Sequence, residues 1–195
     1  EGACRAARRG ARGVVTGRDV RGTVMHIDFT GKVAAVTGTS GIGLDAARHL
    51  ARLGARVFLA GIDTDLNRAA AEMASGEGLP VSLHHVDVAD EASVRAWSEE
   101  IVFETGHLHA LVNAAAIQFY GSVEDTTPEM WDQTIAVNLR SCYLTSHILY
   151  PLMKAANSAS ISSTDLPSVA SSRAENSNNG VRTDPGLTEL TRMPS

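Results

Sequence analysis

Tyr150 and Lys154 in the stretch YPLMK stand four residues apart, the spacing that places two side chains on one face of a helix. A tyrosine alone titrates near pH 10, too high for a base at neutrality, and an adjacent ammonium would pull it down toward acid/base use. A second stretch, VTGTSGIG (36–43), carries Gly38, Thr39, Ser40, Gly41, Ile42 and Gly43. Its glycines permit positive-φ turns and close backbone approach, and free N–H groups at a following helix end suit a pyrophosphate. His84, His85, His107 and His109 lack a cysteine or carboxylate at ligand spacing, so they read as strand-end and loop histidines and no metal is expected.

The elements that must position these groups alternate. KVAAVT (32–37) is a continuous apolar run that predicts a buried strand, and a helix follows with Ile42, Ala46, Ala47, Leu50 and Leu53 on its apolar face. RVFLAG (56–61) predicts a second strand, followed by a helix over 64–75 capped by Thr64 or Asp65. VSLHHVDV (81–88) predicts the third strand, and Asp90 caps a helix burying Val94, Trp97 and Ile101. HALVNA (109–114) is the fourth. Thr126 and Glu129 fit a capping box for a helix through Trp131, and a long helix runs from about 138 to 155. Strands alternating with helices of this length specify right-handed crossovers and a doubly wound parallel α/β sheet in three layers. After Ala156 serine, asparagine and alanine dominate, and only ASISS (159–163) keeps a strand pattern.

The 195 residues suit one domain, with 44% hydrophobic and 20% charged residues. The net charge of −5 hides six arginines in 1–24, so the body is acidic and a nucleic-acid partner is not expected. Residues 1–24 read as an unstructured extension before Met25. Cys4 and Cys142 are the only cysteines, and no run of 18 apolar residues occurs, which predicts a reducing cytoplasmic setting and no membrane partner.

From DFTGKVAAVTG to the end of YPLMK the chain resembles the short-chain dehydrogenase/reductase family, with the motifs in the family's order. They are the glycine loop, HVDV with Asp87 and Val88 where the family contacts adenine, LVNAAA with Asn113 and Ala114 at its Asn-Asn-Ala-Gly signature, and AVNL with the active-site asparagine at Asn138. The resemblance implies an NAD(P)-binding Rossmann fold and redox chemistry on a small alcohol or carbonyl compound. Two departures stand out. Only Thr39 and Ser40 separate Gly38 from Gly41, one residue fewer than in the family, and Ala116 replaces a glycine. Asp63 lies where an acid would hold ribose hydroxyls, or it is a solvated loop residue, because Gly61 occupies the usual acidic position. With no Arg or Lys nearby, NAD is expected over NADP.

The family's catalytic tyrosine follows its serine, which Ser163 matches, whereas Tyr150 precedes it. Tyr150 and Lys154 therefore match the end of the preceding helix, where Pro151 would disturb their alignment. No tyrosine follows Tyr150 and no lysine follows Lys154. Later, GVRTDPGLTELTRM resembles the segment that closes over nicotinamide, with Thr191 at its amide-contacting threonine. The expectation is a family member with an internal loss and a missing tail: a Rossmann domain at 25–163 and an irregular remnant at 164–195. Turnover would be impaired. A nucleotide-binding or interaction module without turnover, or a gene product without function, remains the alternative. The family's homo-oligomer interface would be compromised, leaving Leu, Ile and Met of 144–153 exposed as an apolar patch.

Overall fold

The computed structural model describes residues 15–18, 24–156, 158–163 and 173–175. Strands β1 (Val15–Arg18) and β2 (Val24–Ile27) pair antiparallel in a two-stranded sheet of their own. Strand β1 falls within the expected unstructured extension, where Val14, Val15 and Thr16 form a β-branched run. The other residues before Val24 lie outside the described set.

The main sheet contains β3 (Val33–Thr37), β4 (Arg56–Gly61), β5 (Val81–His85), β6 (Ala110–Asn113), β7 (Ser158–Ser163) and β8 (Arg173–Glu175), in the order β5-β4-β3-β6-β7-β8. The first five run parallel and β8 closes the edge antiparallel to β7. Between them run α1 (Gly41–Arg52), α2 (Thr64–Gly76), α3 (Glu91–Thr105), α4 (Pro128–Ile135) and α5 (Ser141–Ala155). One face of the sheet buries Ala34, Val36, Val57 and Leu59 against Ala47, Ala51 and Ala70 of α1 and α2. The other buries Ala35, Phe58 and Leu111 against Trp97 and Ile101 of α3 and Leu149 and Met153 of α5. The doubly wound reading is therefore observed. Strand order reverses between β3 and β6, the point at which such sheets open a crevice at their carboxyl ends.

Several local expectations are corrected. The cap of α2 is Asp63, whose Oδ1 accepts from Asp65 N and Leu66 N at 2.9 Å each, in place of Thr64 or Asp65. The cap of α4 is Thr127, accepting from Met130 N at 3.2 Å, with Pro128 in the first turn where its missing N–H costs nothing. Thr126 instead donates to Ser122 O. Strand β5 stops short of 88: Val86 N still donates to Gly61 O of β4, but from Asp87 the bonds turn local, with Asp87 N donating to Ser93 Oγ and Asp87 Oδ1 accepting from Ala89 N. Asp90 caps α3 as expected.

Helix α1 buries Gly43, Ala47 and Ala51, while Ile42 is 67% exposed. A Cβ on residue 43 would stand 2.2 Å from Gly38 O and 2.8 Å from Thr37 O, so that contact fixes which side of the helix faces the sheet. The expected break between the last two helices is absent: α4 passes into α5 through a π-helical segment, Ala136–Arg140. The expected apolar patch on 144–153 is also overturned. Leu144, Ile148, Leu149, Leu152 and Met153 are buried, and the exposed side carries Trp131, Leu139, Tyr143 and Tyr150.

Candidate functional site

A cleft of about 390 Å³ opens at the carboxyl ends of β3 to β6. Its sides are residues 38–40 after β3, 61–63 after β4, 86–89 after β5 and 114–117 after β6, with Gln133, Ala136 and Val137 below.

The glycine loop forms the turn. Gly38 and Gly41 have φ of 97° and 51°, conformations that side chains resist. Gly38 N donates to Ala60 O, and a Cβ on residue 38 would come within 2.9 Å of Ala114 O. Ser40 is the N-cap of α1, yet its side chain makes no capping hydrogen bond, and the first turn holds no acid. The N–H groups of that turn thus remain available, at the positive end of the helix dipole, for an anionic ligand. The donors and the close-approach glycines fit a pyrophosphate.

Two threonines that sequence reasoning missed hold the far side. Thr37 Oγ1, buried, accepts from Ala114 N and Ala115 N at 3.1 Å each and ties the end of β3 to the 114–117 wall. Thr145 Oγ1, also buried, lies 2.8 Å from Asn113 Oδ1 and from Ser141 O. The signal for Thr37 was a strand-end threonine just before the glycines. Thr145 gave none, since its meaning depends on a contact with Asn113 across 32 positions.

Of the predicted residues, Gly38, Thr39, Ser40, Asp63, Asp87, Val88 and Ala114 line the cleft. Asn113 is buried beneath it. Gly41 and Gly43 shape the turn, and Ile42 points outward. Asn138 lies in the π-helical segment and holds the wall by a double contact, accepting from Ile117 N at 2.8 Å and donating to Ile117 O at 2.9 Å. Ser163 ends β7 with its Cα paired to that of Asn113. Thr191 lies outside the described residues. At position 61 a Cβ would stand 2.4 Å from Thr39 Oγ1 and 2.7 Å from Asn67 Oδ1, so a side chain there would have to displace both of these side chains.

Tyr150 and Lys154 are elsewhere, on α5, and neither lines the cleft. Pro151 does not spoil their alignment as expected, because the helix continues through it. Lys154 Nζ sits 5.8 Å from the Tyr150 ring centroid, a cation–π contact on an exposed surface. The histidines also lie outside the cleft. His84 Nδ1 is 2.5 Å from Glu100 Oε2, and its ring stacks on Phe58. His109 Nδ1 accepts from Val33 N at 3.1 Å, at the other end of β3, and burial with nearby Lys32 and His107 holds its pKa below the usual histidine value. A second cavity of about 400 Å³, lined by Lys32, His109, Ser158 and Ser160 among others, contains none of the predicted site residues.

Comparison with known proteins agrees with this geometry. A family model described as enoyl-(acyl carrier protein) reductase matches residues 36–183. The chain is 40% identical over 128 residues to D-beta-hydroxybutyrate dehydrogenase of Cupriavidus necator, covering 65% of this chain and 49% of that protein. It is 36% identical over 126 residues to cyclopentanol dehydrogenase of a Comamonas species, covering 64% and 50%. A solved metagenomic short-chain oxidoreductase in complex with NADP superposes with a TM-score of 0.65 at 34% identity, covering 69% of this chain and 62% of that one. The chain spans about half the length of the curated relatives it matches.

Proposed function

The chain belongs to the short-chain dehydrogenase/reductase family, an oxidoreductase lineage, and from that premise we propose that residues 25–163 bind a nicotinamide dinucleotide in the cleft above Gly38 and Gly41. The observation that carries the reading is the uncapped amino end of α1 above two positive-φ glycines at the switch point of the sheet. The N–H groups of the first turn would hold the pyrophosphate, Asp87 and Val88 the adenine side, and the 114–117 wall with Asn138 and Ser163 the nicotinamide side. Of the two dinucleotides we favour NAD, because residues 38–43 and 60–65 contain no Arg or Lys to pair a 2′-phosphate, and Asp63 would repel one.

When bound, the dinucleotide supplies or accepts hydride. The chain's own residues set the geometry around it: Thr37 and Asn138 hold the 114–117 wall, and Ser163 is the candidate donor to a substrate oxygen. The substrate class is a small alcohol or carbonyl compound, as the names of the relatives suggest. The proton relay is the deficit. Tyr150 and Lys154 lie off the cleft, and a general acid contributes about 10²–10⁴-fold, so turnover is slow at best. A cytoplasmic setting goes with this reading. The second reading, dinucleotide binding without turnover, is favoured by the same position of Tyr150.

Titration of the full chain with NADH and NADPH, followed by fluorescence enhancement, tests the proposal. NADH should bind more tightly than NADPH, with a dissociation constant above the micromolar range because the loop is short. No binding of either at millimolar concentration overturns the reading. Turnover assays with 3-hydroxybutyrate and cyclopentanol then separate the slow enzyme from the binding module.

A further inference from the structure

The two walls of the cleft are tied to one element. Asn138 grips Ile117 on the wall after β6, and two residues later Arg140 Nη1 donates to Ala89 O, at 2.9 Å, on the wall after β5. Both belong to the π-helical segment Ala136–Arg140, whose first two residues line the cleft between those walls. Residues two apart on a helix point to nearly opposite sides, so one short segment reaches both. The 87–90 turn is otherwise held from its own side of the sheet, by Ser93 through Asp87 N and by the Asp87 side chain through Ala89 N. Ala89 O is 51 positions from Arg140 in sequence, and its bond crosses from the α4–α5 layer to the turn.

We infer that Arg140 is a positioning residue of the cleft, setting the distance of the 87–90 turn from the 114–117 wall and so the grip on the adenosine half of the dinucleotide. The inference rests on the dinucleotide reading given above. Its chemistry is specific: a guanidinium N–H donates to a backbone carbonyl, and the long stem spans the gap. Arg140 itself is exposed and does not line the cleft, so its loss does not open the core. The effect falls on the half of the cleft built from residues 86–89 and spares the nicotinamide half, which Asn138 holds independently.

The test is titration of the full chain with NADH, AMP and nicotinamide mononucleotide, for the unaltered protein, Arg140→Met and Arg140→Lys, with thermal melts as a folding control. Methionine keeps the stem and removes the donors; lysine restores one donor. Arg140→Met should weaken NADH and AMP by about three- to tenfold, the scale of one partly solvated charge-assisted bond. It should leave the mononucleotide within twofold, and Arg140→Lys should recover at least half of the loss. Unchanged AMP affinity in Arg140→Met, or an equal weakening of all three ligands, overturns the inference while leaving the dinucleotide reading intact. Failure of the unaltered protein to bind NADH overturns both.

Discussion

Asn138 and Ile117 are joined twice: the amide oxygen accepts from Ile117 N at 2.8 Å and the amide nitrogen donates to Ile117 O at 2.9 Å. The side chain thus completes, for one residue of irregular backbone, the pairing that a strand neighbour would give. Asn138→Ala leaves both groups of Ile117 without that partner, and we expect a loss of about 1–3 kcal/mol in urea unfolding together with weaker NADH binding. Unchanged stability and unchanged affinity would show that the wall needs no such brace.

Gly43 gives a second test, this time of the glycine loop. A methyl group there would stand 2.2 Å from Gly38 O, a backbone atom that cannot turn aside. Gly43→Ala should cost about 2–4 kcal/mol through displacement of the start of α1, and NADH binding should be lost with it. Gly76→Ala, in a helix with nothing within 4 Å of the new Cβ, is the control and should stabilise slightly.

His109 predicts a pH dependence. Its Nδ1 accepts from Val33 N, so a doubly protonated ring cannot keep that bond, and burial first, then Lys32 and His107, depress its pKa from 6.5. Between the depressed folded value and the unfolded 6.5, the unfolded chain binds more protons. The contribution is therefore present above pH 6.5 and lost as pH falls through the folded pKa. Thermal melts from pH 8 to pH 5 should show a decline that is shallower in His109→Gln; identical slopes in the two proteins would refute the assignment.

Tyr150→Phe supplies the control for catalysis. The cation–π contact with Lys154 survives in phenylalanine, and the side chain is 46% exposed, so stability should stay within about 0.5 kcal/mol. NADH affinity and any trace of turnover should be unchanged. If ordinary enzyme rates were measured and this variant abolished them without unfolding, Tyr150 and Lys154 would be the proton relay after all.

The parts of the fold that depend on runs and periods were legible in the sequence. KVAAVT and RVFLAG read as strands because central parallel strands are buried on both faces, and Val94, Trp97 and Ile101 share one helix face in any packing. The caps slipped by a residue or two, since Asp63, Thr64 and Asp65 are all able to cap and only the exit angle of β4 chooses among them. The outward turn of Ile42 was hidden because it follows from a backbone collision at Gly43. The π-helical segment left no mark in AVNLR, and the partner that Asn138 finds there, Ile117, lies 21 positions earlier. Pro151 misled in the other direction: a proline is expected to break an alignment that the packed helix preserves.

The π-helical segment also bears on which changes this stretch of gene tolerates. A π turn holds one residue more than the α turn it replaces while carrying the chain through about the same angle, so the helix beyond it keeps its phase. Removing one codon from 136–140 would let the segment relax to regular winding with Ser141–Ala155 facing the sheet much as before, whereas removing one from 141–148, already regular, would rotate all that follows by about 100°. Leu149 and Met153 would leave the sheet in the second case only. The π segment is therefore where this stretch tolerates a change of length, provided Asn138 keeps its grip on Ile117.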